Sequence, residues 1–534
     1  MKFKYISVLV VLVAILISSC KEKESVFEDP YKGGISPLGI SVNPQQLPVP
    51  ASGMAGTTVT ITAKGLMPHK AKLNFLFNGE KAEIVEISES GIKVKVPARA
   101  SSGITSFVVD GQLVFGPQFT VTGLVNLDPT YKVVSGTNGI IMKAIEVTGG
   151  NFFLLGDFTN FDNKGIVKAI RRIVRTFPDG TLDRSLQSGD GSNGILNGMA
   201  ILNNQYYIAG GFSGYAQRGD GINNITRIST AGVIDTTFAV TYLSRLKFTP
   251  TFNGGTDGPI NSVYAYQNKI IATGDFRYYL SRRYNQPSSS LRDSTIIDSV
   301  DVRQLVRFNT DGSLDKTWRF DANALGYKGI RGKSLPGGNG RLSSLMHTDG
   351  KLLAYGQFLK FDDTPKGYIV RLNADGTIDQ SFNASGAGAD NYINRVSYNE
   401  TTNKYIATGI FKTFNGKPAV NMVLLNYDGS VDESFVPKAF AGGRPYFAKQ
   451  LSDGLIVVGG DFKAYDGVNK QGFLILNAKG ELAPGYNTTG NLLGYITDVN
   501  ETKSADNKRA LLIIGSFYVF DNKPASNIVR VTLE

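Results

Sequence analysis

The sequence predicts an all-β protein, in which a small immunoglobulin-like β-sandwich is followed by a seven-bladed β-propeller. Three observations support this fold class: short runs of alternating apolar and polar residues, 61 glycines that punctuate them, and a unit that repeats over the C-terminal three quarters of the chain. Alternating runs bounded by glycine are typical of antiparallel strands. A chain of 534 residues is also too long to fold around one ordinary hydrophobic core, so at least two domains are expected.

The first residues predict an export signal that ends in a lipid anchor. Lys2 and Lys4 precede an apolar run over residues 5–17, which is shorter than the roughly 20 residues that a membrane-spanning helix needs. The stretch Ile-Ser-Ser-Cys that ends at Cys20 resembles the lipobox of bacterial lipoproteins. This resemblance implies a signal peptide over residues 1–19 and lipidation of Cys20. The alternative is a secretory signal with an incidental cysteine.

Residues 20–37 are interpreted as the lipidated cysteine and a flexible tether. The stretch "KEKESVFEDP" after Cys20 resembles the acidic export signal of surface lipoproteins in the Bacteroidota. The resemblance implies a location at the outer membrane, on the cell surface, with the membrane as a partner through the anchor. Nucleic acid is not expected as a partner despite the formal net charge of +11, because a lipid-anchored exported protein seldom meets it.

Residues 38–123 are predicted to form the β-sandwich. Runs such as "TTVTITAKG" and "KLNFLFNG" alternate apolar with polar residues and are separated by turn residues. The segment resembles the IPT/TIG immunoglobulin-like domain, and the resemblance implies a spacer. The matching pieces, in order, are Pro44, Val59 to Gly65, Phe77 to Ala82, and "GIKVKVP" leading to Gly103.

Residues 124–534 repeat a unit whose first part is an apolar strand ending in Gly-x-Phe. Seven copies end at Phe158, Phe212, Phe276, Phe358, Phe411, Phe462 and Phe517. Six are followed by a second strand and a turn, as in "RLNADGTIDQSF" at residues 371–382. The seventh lacks the turn, and "VNLDPTY" at residues 125–131 matches the missing tail. A chain that begins with the last strand of a blade and ends with the others closes a seven-bladed ring.

This repeat segment resembles the delta-60 repeat family, whose units carry the text "RLNxDGxxDxxF". The resemblance implies the propeller architecture, and it supplies no common activity that could be assigned to particular residues. The sequence therefore predicts the scaffold of this domain in more detail than its function.

The repeated turn is predicted to be structural. Asp375 and Gly376 supply a tight turn with positive φ, Asp379 accepts hydrogen bonds from turn amides, and Phe382 packs between blades. A calcium loop is the alternative, but two carboxylates per turn fall short of the six or more oxygens that calcium takes.

An arginine recurs on the strand before the turn, at Arg175, Arg227, Arg307, Arg371 and Arg530. Buried arginine is normally paired, so each is predicted to pair with a turn aspartate of the same or the adjacent blade. The alternative is an arginine pocket at the propeller axis.

Three large insertions are predicted to share one face of the ring, in neighbouring blades 2, 3 and 4. They cover residues 239–259, which follow the repeat aromatic Phe238, and residues 277–303 and 319–341. Together they carry +7 of the formal charge of +11. Long loops on one sector of a scaffold are a common location for binding sites.

Tyrosines lie among these charges, a mixture that suits acidic or hydroxyl-rich ligands. A solvated basic rim that serves solubility is the alternative. The candidate ligand-binding residues are Tyr278, Tyr279, Arg282, Arg283, Tyr284, Tyr327, Lys328, Arg331 and Lys333.

No catalytic residue, metal site or cofactor is predicted. The only histidines, His69 and His347, fall in different domains, which leaves no histidine-based metal site or triad, and His347 is expected to be an exposed or half-buried turn residue. The predicted function is non-catalytic binding at the cell surface, of a glycan for a nutrient uptake system. A scaffold that docks another envelope protein and a polysaccharide lyase or hydrolase on the propeller face are the alternatives.

Overall fold

A computed structural model describes residues 36–219, 221–287 and 295–534, with the backbone alone for residues 295–298. Cys20 and most of the predicted tether lie outside the described residues. The described chain is built from strands, together with three 3-10 turns at Met67–His69, Thr148–Gly150 and Tyr327–Gly329. None of its helices has the length and apolar character needed to span a membrane.

The N-terminal domain consists of two sheets that pack on one shared core. Alternation places residues such as Val59, Ile61, Phe75 and Phe107 in that core. Two sheets around one core form the predicted β-sandwich. In spatial order, one sheet contains Ser52–Gly53, Gln112–Val121, Gly103–Val109, Asn74–Phe77 and Glu80–Lys81, and the other contains Thr58–Thr62, Gly91–Lys95 and Glu83–Ser88.

The rest of the described chain forms seven antiparallel blade sheets in consecutive order, with smaller sheets in the connections between their strands, so the prediction of a seven-bladed propeller is confirmed. Each blade has an inner, a middle and an outer strand. The inner strands are Ile141–Val147, Ile195–Leu202, Ile260–Tyr266, Leu342–Met346, Ile393–Asn399, Pro445–Gln450 and Leu493–Lys503. The middle strands are Asn151–Gly156, Gln205–Gly211, Lys269–Gly274, Leu352–Gly356, Lys404–Gly409, Ile456–Gly460 and Arg509–Phe520. The outer strands are Ile173–Thr176, Ile225–Ser229, Leu305–Phe308, Ile369–Leu372, Met422–Asn426, Phe473–Leu476 and Ile528–Thr532.

The ring closes as the repeat pattern predicts. Asn126–Leu127 adds to the outer strand of blade 7, with Leu127 opposite Val531. Asp128 accepts a hydrogen bond from the guanidinium of Arg530 at 2.5 Å, and both side chains are fully or almost fully buried. In blades 1 to 6 the fourth strand is reduced to a single bridge, such as Leu372 with Ile378 in blade 4. Closure by a paired strand leaves no open sheet edge at the junction.

The repeated turn is a structural element that joins neighbouring blades. Gly376 has a φ of +88°, and the Asp379 carboxylate accepts hydrogen bonds from the amide and hydroxyl of Ser381. Arg371 donates to Asp379 at 2.8 Å and to the carbonyl of Tyr427 in the next blade. The predicted pairing is confirmed, and it replaces the alternative of an arginine pocket at the axis. The equivalent pairs are Arg175 with Asp183, Arg227 with Asp235, Arg307 with Asp315, and Arg530 with Asp128.

The two faces of the ring are distinct. Because the strands are antiparallel, the inner-to-middle turns and the repeated turns lie on one face, named here the turn face. The middle-to-outer connections and the links to the next blade lie on the other, named the insertion face. Short hairpins there bury one aromatic each. The buried rings are Phe361, Phe414, Tyr465 and Phe520, and Phe161 is buried at the same place in blade 1.

His347, on the turn face of blade 4, is buried, so its expected exposure is wrong. Only 6% of the residue is exposed, and its ring lies against Tyr398 and Tyr427. The hydroxyl of Tyr405 in the next blade lies 2.8 Å from its Nε2 atom. Burial lowers the pKa of His347 from 6.5 to about 4. The sequence around this turn is polar, and it gives no sign of the tyrosines that come from the adjacent blade.

The sandwich packs against the insertion face at blades 6 and 7. The amide of Ser102 donates to the carbonyl of Thr488, and the ammonium group of Lys470 donates to the carbonyl of Arg99. Arg99 also pairs with Asp466 at 3.0 Å. In a seven-membered ring, blade 3 lies opposite blades 6 and 7. The sandwich and the large insertions therefore occupy opposite sides of the same face.

Candidate binding surface on the insertion hairpins

The three insertions form β-hairpins, named here insertion hairpins 1, 2 and 3. Hairpin 1 pairs Thr236–Val240 with Leu246–Pro250. Hairpin 2 pairs Tyr278–Arg283 with Thr295–Asp301. Hairpin 3 pairs Phe320–Leu325 with Arg331–Ser334, although its register is interrupted. Arg292 and Asp293, which belong to the second insertion, lie outside the described residues.

Hairpin 1 begins earlier than its sequence predicts, because Phe238 is not the repeat aromatic of blade 2. Phe238 is 59% exposed, whereas Phe252 is 1% exposed and packs against Tyr207 and Phe308. Thr251 donates its hydroxyl to Asp235, as the residue before the repeat aromatic does in regular blades. The insertion therefore splits the repeated turn. The signal was a second Thr-Phe pair at residues 251–252, which repeats the pair at 237–238.

The hairpins contact one another and form a continuous surface. The amide of Tyr242 in hairpin 1 donates to the carbonyl of Tyr284 in hairpin 2 at 2.9 Å. The ring of Tyr278 in hairpin 2 meets the ring of Tyr327 in hairpin 3 edge to face, with centroids 5.1 Å apart. These contacts bring together residues that lie far apart in the sequence.

Hairpin 2 is held to the body of blade 3 by side-chain bonds to its backbone. Asp257 accepts hydrogen bonds from the amides of Arg277 and Tyr278, at 2.9 and 2.7 Å. Asn253 accepts from the amide of Arg282 and donates to its carbonyl. This bonding fixes the base of the hairpin, so the residues at its start have defined positions.

The Tyr278–Tyr327 pair lies between two cations. The guanidinium of Arg277 lies 5.2 Å from the centre of the Tyr278 ring, and the ammonium of Lys328 lies 5.2 Å from the centre of the Tyr327 ring. Arg277 also pairs with Asp301 at 3.3 Å. The result is a row of cation, ring, ring and cation that crosses from hairpin 2 to hairpin 3. Such a row can hold a ligand by ring stacking and by charged hydrogen bonds.

The other predicted site residues lie on hairpins 2 and 3 and differ in exposure. Arg283, Lys328 and Arg331 are exposed, whereas Arg282, Tyr284 and Lys333 are half-buried. Tyr279 is the exception, because it is 2% exposed and its hydroxyl donates to the carbonyl of Gly312. Its ring belongs to the core of blade 3. The surface open to a ligand therefore excludes Tyr279.

Arg319 belongs to the third basic insertion in the sequence but is a structural residue. Its guanidinium is buried and forms two hydrogen bonds to the Asp362 carboxylate, at 2.6 and 2.8 Å. It also stacks over Phe361 in the same blade, 5.0 Å from the ring centre. Part of the +7 charge of the insertions is thus neutralised by carboxylates, and the exposed cations are fewer than the sequence suggests.

Hairpin 1 also carries an apolar face, which was not predicted. Phe238 lies opposite Phe248 with ring centroids 4.0 Å apart, and Val240 lies opposite Leu246. All four side chains are at least half exposed. Alternation in "TFAV" and "LKF" places them on one face of the hairpin, and this alternation was the available signal. An exposed face of this kind is a feature of protein contact sites.

Comparisons with protein families match both parts of the chain. The family described as "Domain of unknown function (DUF5008)" matches residues 16–117. The family described as "Domain of unknown function (DUF5122) beta-propeller" matches residues 293–317, 347–382 and 401–435, within blades 3, 4 and 5. No curated protein matches the sequence.

Solved structures that resemble the chain include propellers and proteins of Bacteroides. The WD40 β-propeller domain of Doa1 is 12% identical with a TM-score of 0.38, and the match covers 76% of this chain and 96% of that one. An auxiliary nutrient binding protein from Bacteroides ovatus ATCC 8483 is 12% identical with a TM-score of 0.29, covering 92% and 99%. One from Bacteroides thetaiotaomicron VPI-5482 is 10% identical with a TM-score of 0.31, covering 92% and 98%.

Proposed function

We propose that this chain is a non-catalytic binding protein, tethered to the outer membrane by lipid on Cys20, that binds a glycan at the insertion hairpins. The IPT/TIG-like sandwich acts as a spacer that holds the propeller away from the membrane. The ligand is acidic or rich in hydroxyl groups, and it is captured for uptake as a nutrient. This proposal rests on one observation: the row of Arg277, Tyr278, Tyr327 and Lys328, which is assembled from two hairpins.

The residues of this row belong to the insertions and are not repeated in the other blades of the described chain. Tyr278 and Tyr327 present half-exposed rings at a fixed spacing, and rings of this kind stack on the apolar faces of sugars. Arg283 and Arg331 are exposed on hairpins 2 and 3 and can form paired hydrogen bonds to a carboxylate. The ring does not need any of these residues for closure, because the blades that lack insertions are complete without them.

Native gel electrophoresis in gels loaded with an acidic polysaccharide tests this proposal. Wild-type protein should be retarded, and the triple variant Arg282→Ala, Arg283→Ala, Arg331→Ala should migrate as it does in an unloaded gel. The triple variant Arg184→Ala, Lys412→Ala, Lys479→Ala removes the same charge from exposed positions elsewhere, and it should remain retarded. Equal retardation of both triple variants would contradict the proposal, because it would show an effect of net charge alone.

A second candidate function is docking of another envelope protein, and the apolar face of hairpin 1 favours it. Phe238 and Phe248 are 59% and 50% exposed, and Val240 and Leu246 extend the same face. Crosslinking in intact cells followed by purification tests this function. A single partner should be recovered with wild-type protein and lost with Phe248→Ser, whereas Tyr327→Ala should keep the partner and lose polysaccharide retardation.

A further inference from the structure

The inner wall of the ring carries a cluster of charged side chains from four consecutive blades. Lys143 comes from blade 1, Arg395 from blade 5, Lys449 from blade 6 and Asp498 from blade 7, each on an inner strand. The ammonium of Lys143 lies 2.8 Å from the Asp498 carboxylate, and that of Lys449 lies 3.7 Å from it. We name these four residues the inner-wall cluster.

Asp498 must point towards the centre of the ring. Its carboxylate reaches the blade on either side, blade 1 through Lys143 and blade 6 through Lys449, and Arg395 two blades away acts on it electrostatically. Its side chain is 8% exposed, whereas those of Lys143 and Lys449 are 41% and 28% exposed. Both lysine side chains are therefore partly open to solvent, and the Lys449 ammonium also donates to the carbonyl of Val499 at 2.6 Å.

The cluster has three cations and one carboxylate, so it is short of negative charge. Burial alone would raise the pKa of Asp498, but Lys143, Lys449 and Arg395 hold it well below its usual range. Among the groups around Lys143, Asp498 has the largest effect on its pKa, and it favours the charged form of the lysine. Burial and the repulsion from Arg395 and Lys449 nevertheless keep the pKa of Lys143 below its ordinary value. The single carboxylate of Asp498 therefore does not offset the positive charge of the three cations.

Arg395 has hydrogen-bonding capacity that the described part of the chain does not use. Its half-buried guanidinium stacks over Phe447 at 5.4 Å, and among the described residues it forms no hydrogen bond or ion pair. An arginine side chain carries five N–H donors in a planar fork. None of its nitrogens is among the buried, unsatisfied atoms of the described residues, so these donors are accessible from solution, and an anion there would accept charge-assisted hydrogen bonds from them.

We propose that the axis of the propeller binds a small oxyanion, a carboxylate or a sulfate, between the guanidinium of Arg395 and the ammonium groups of Lys143 and Lys449. The anion adds the negative charge that Asp498 does not supply, and the planar fork of Arg395 matches two oxygens of either group. This site is separate from the insertion hairpins, and it does not depend on glycan binding there.

Isothermal titration calorimetry at constant ionic strength tests this inference, with sodium sulfate and sodium glucuronate as probes and glucose as the neutral control. Wild-type protein should bind one sulfate or one glucuronate per chain and no glucose. Arg395→Gln should bind the anions at least about tenfold more weakly, because a charge-assisted hydrogen bond contributes about 1.5–3 kcal/mol. If only sulfate binds, the site is selective for tetrahedral anions, and if only glucuronate binds, it is selective for carboxylates.

Matched variants separate this site from a general effect of charge and from loss of structure. Lys479→Gln removes one exposed cation outside the inner-wall cluster and the insertion hairpins, and it should leave anion binding unchanged. Lys449→Met provides a second test within the cluster and should also weaken binding. Without anion, Arg395→Gln should unfold at the same temperature as wild type or higher, because it relieves repulsion among the cations. No binding to wild-type protein, or equal binding to Arg395→Gln, would overturn the inference.

Discussion

The turn face and the insertion face of this propeller use charged residues in opposite ways. On the turn face, each repeated arginine is paired with an aspartate, as in Arg371 with Asp379. Burial alone would raise the pKa of Asp315. Hydrogen bonds from Thr317 and Lys269, together with the charge of Arg307, instead lower it to about 2. On the insertion face, Arg283 and Arg331 are exposed and occur in one blade each. The repeated charges hold the blades together, and the exposed cations outside the repeat are available to a ligand.

The same contrast applies to the aromatic residues. Phe382 and Trp318 occupy the repeat position and are buried between blades. Tyr278 and Tyr327 lie outside the repeat and are half-exposed. Phe238 resembles the first group in sequence but belongs to the second in structure, with 59% exposure. Position in the repeat therefore distinguishes a structural ring from an available one only when the insertion boundaries are correct.

Substitution of the two candidate repeat aromatics of blade 2 sharpens this contrast most. Phe252→Ala should lower the free energy of unfolding by about 3–5 kcal/mol, because it removes a buried ring from the core of blades 2 and 3. Phe238→Ala should change it by less than about 0.5 kcal/mol, because its ring is largely exposed. Denaturant unfolding followed by far-UV circular dichroism measures both. The reverse order would restore Phe238 as the repeat aromatic.

Arg530 and Asp128 form the arginine–aspartate pair at which the ring closes, and removal of one of them tests the role of the repeated charges. Arg530→Met should lower the free energy of unfolding by about 3–5 kcal/mol, because it leaves the buried Asp128 carboxylate without its partner. The double variant Arg530→Met, Asp128→Leu should recover part of that loss. Lys72→Met, in an exposed pair with Asp110, should cost roughly 1 kcal/mol or less. A single variant as stable as wild type would show that the pair does not secure the ring.

His347 makes the stability of the turn face depend on pH. Its pKa is lowered from 6.5 to about 4 in the folded chain, so the unfolded chain binds more protons between these values. Stability should be fully present above pH 6.5 and fall by roughly 3 kcal/mol as the pH drops to 4. Urea unfolding between pH 6.5 and 4 should show a smaller fall in the free energy of unfolding for His347→Gln than for wild type. His69→Gln is the control for loss of one histidine, and an unchanged slope for His347→Gln would contradict the assignment.

The ring was predictable because each blade repeats the same turn and pairing residues at the same spacing. Gly376 with positive φ, the Arg371–Asp379 pair and the closure of Leu127 on Val531 follow from text that recurs or is split between the ends of the chain. The first two are contacts within one repeat that local spacing determines, and the third follows from a repeat unit that is divided between the two ends of the chain.

The candidate site was only partly predictable, because it depends on contacts between segments that do not repeat. The sequence placed Tyr278 and Tyr327 in basic insertions, but it could not show that their rings meet. It counted Arg319 as an available charge, although Asp362 from the next connection neutralises it. The inner-wall cluster was invisible, because Lys143 and Asp498 are distant in sequence and meet only when the ring closes.

Removal of insertion hairpin 3 tests the central claim, that the insertions bind and the repeats hold the ring. A variant in which Asn-Gly replaces residues 321–333 would close the hairpin between Phe320 and Ser334, which pair in the structure. Thermal unfolding and polysaccharide retardation are then measured on the same preparation. We expect the shortened protein to unfold within a few degrees of the wild-type temperature and to lose its retardation in the polysaccharide gel. Full retardation by the shortened protein would contradict the central claim.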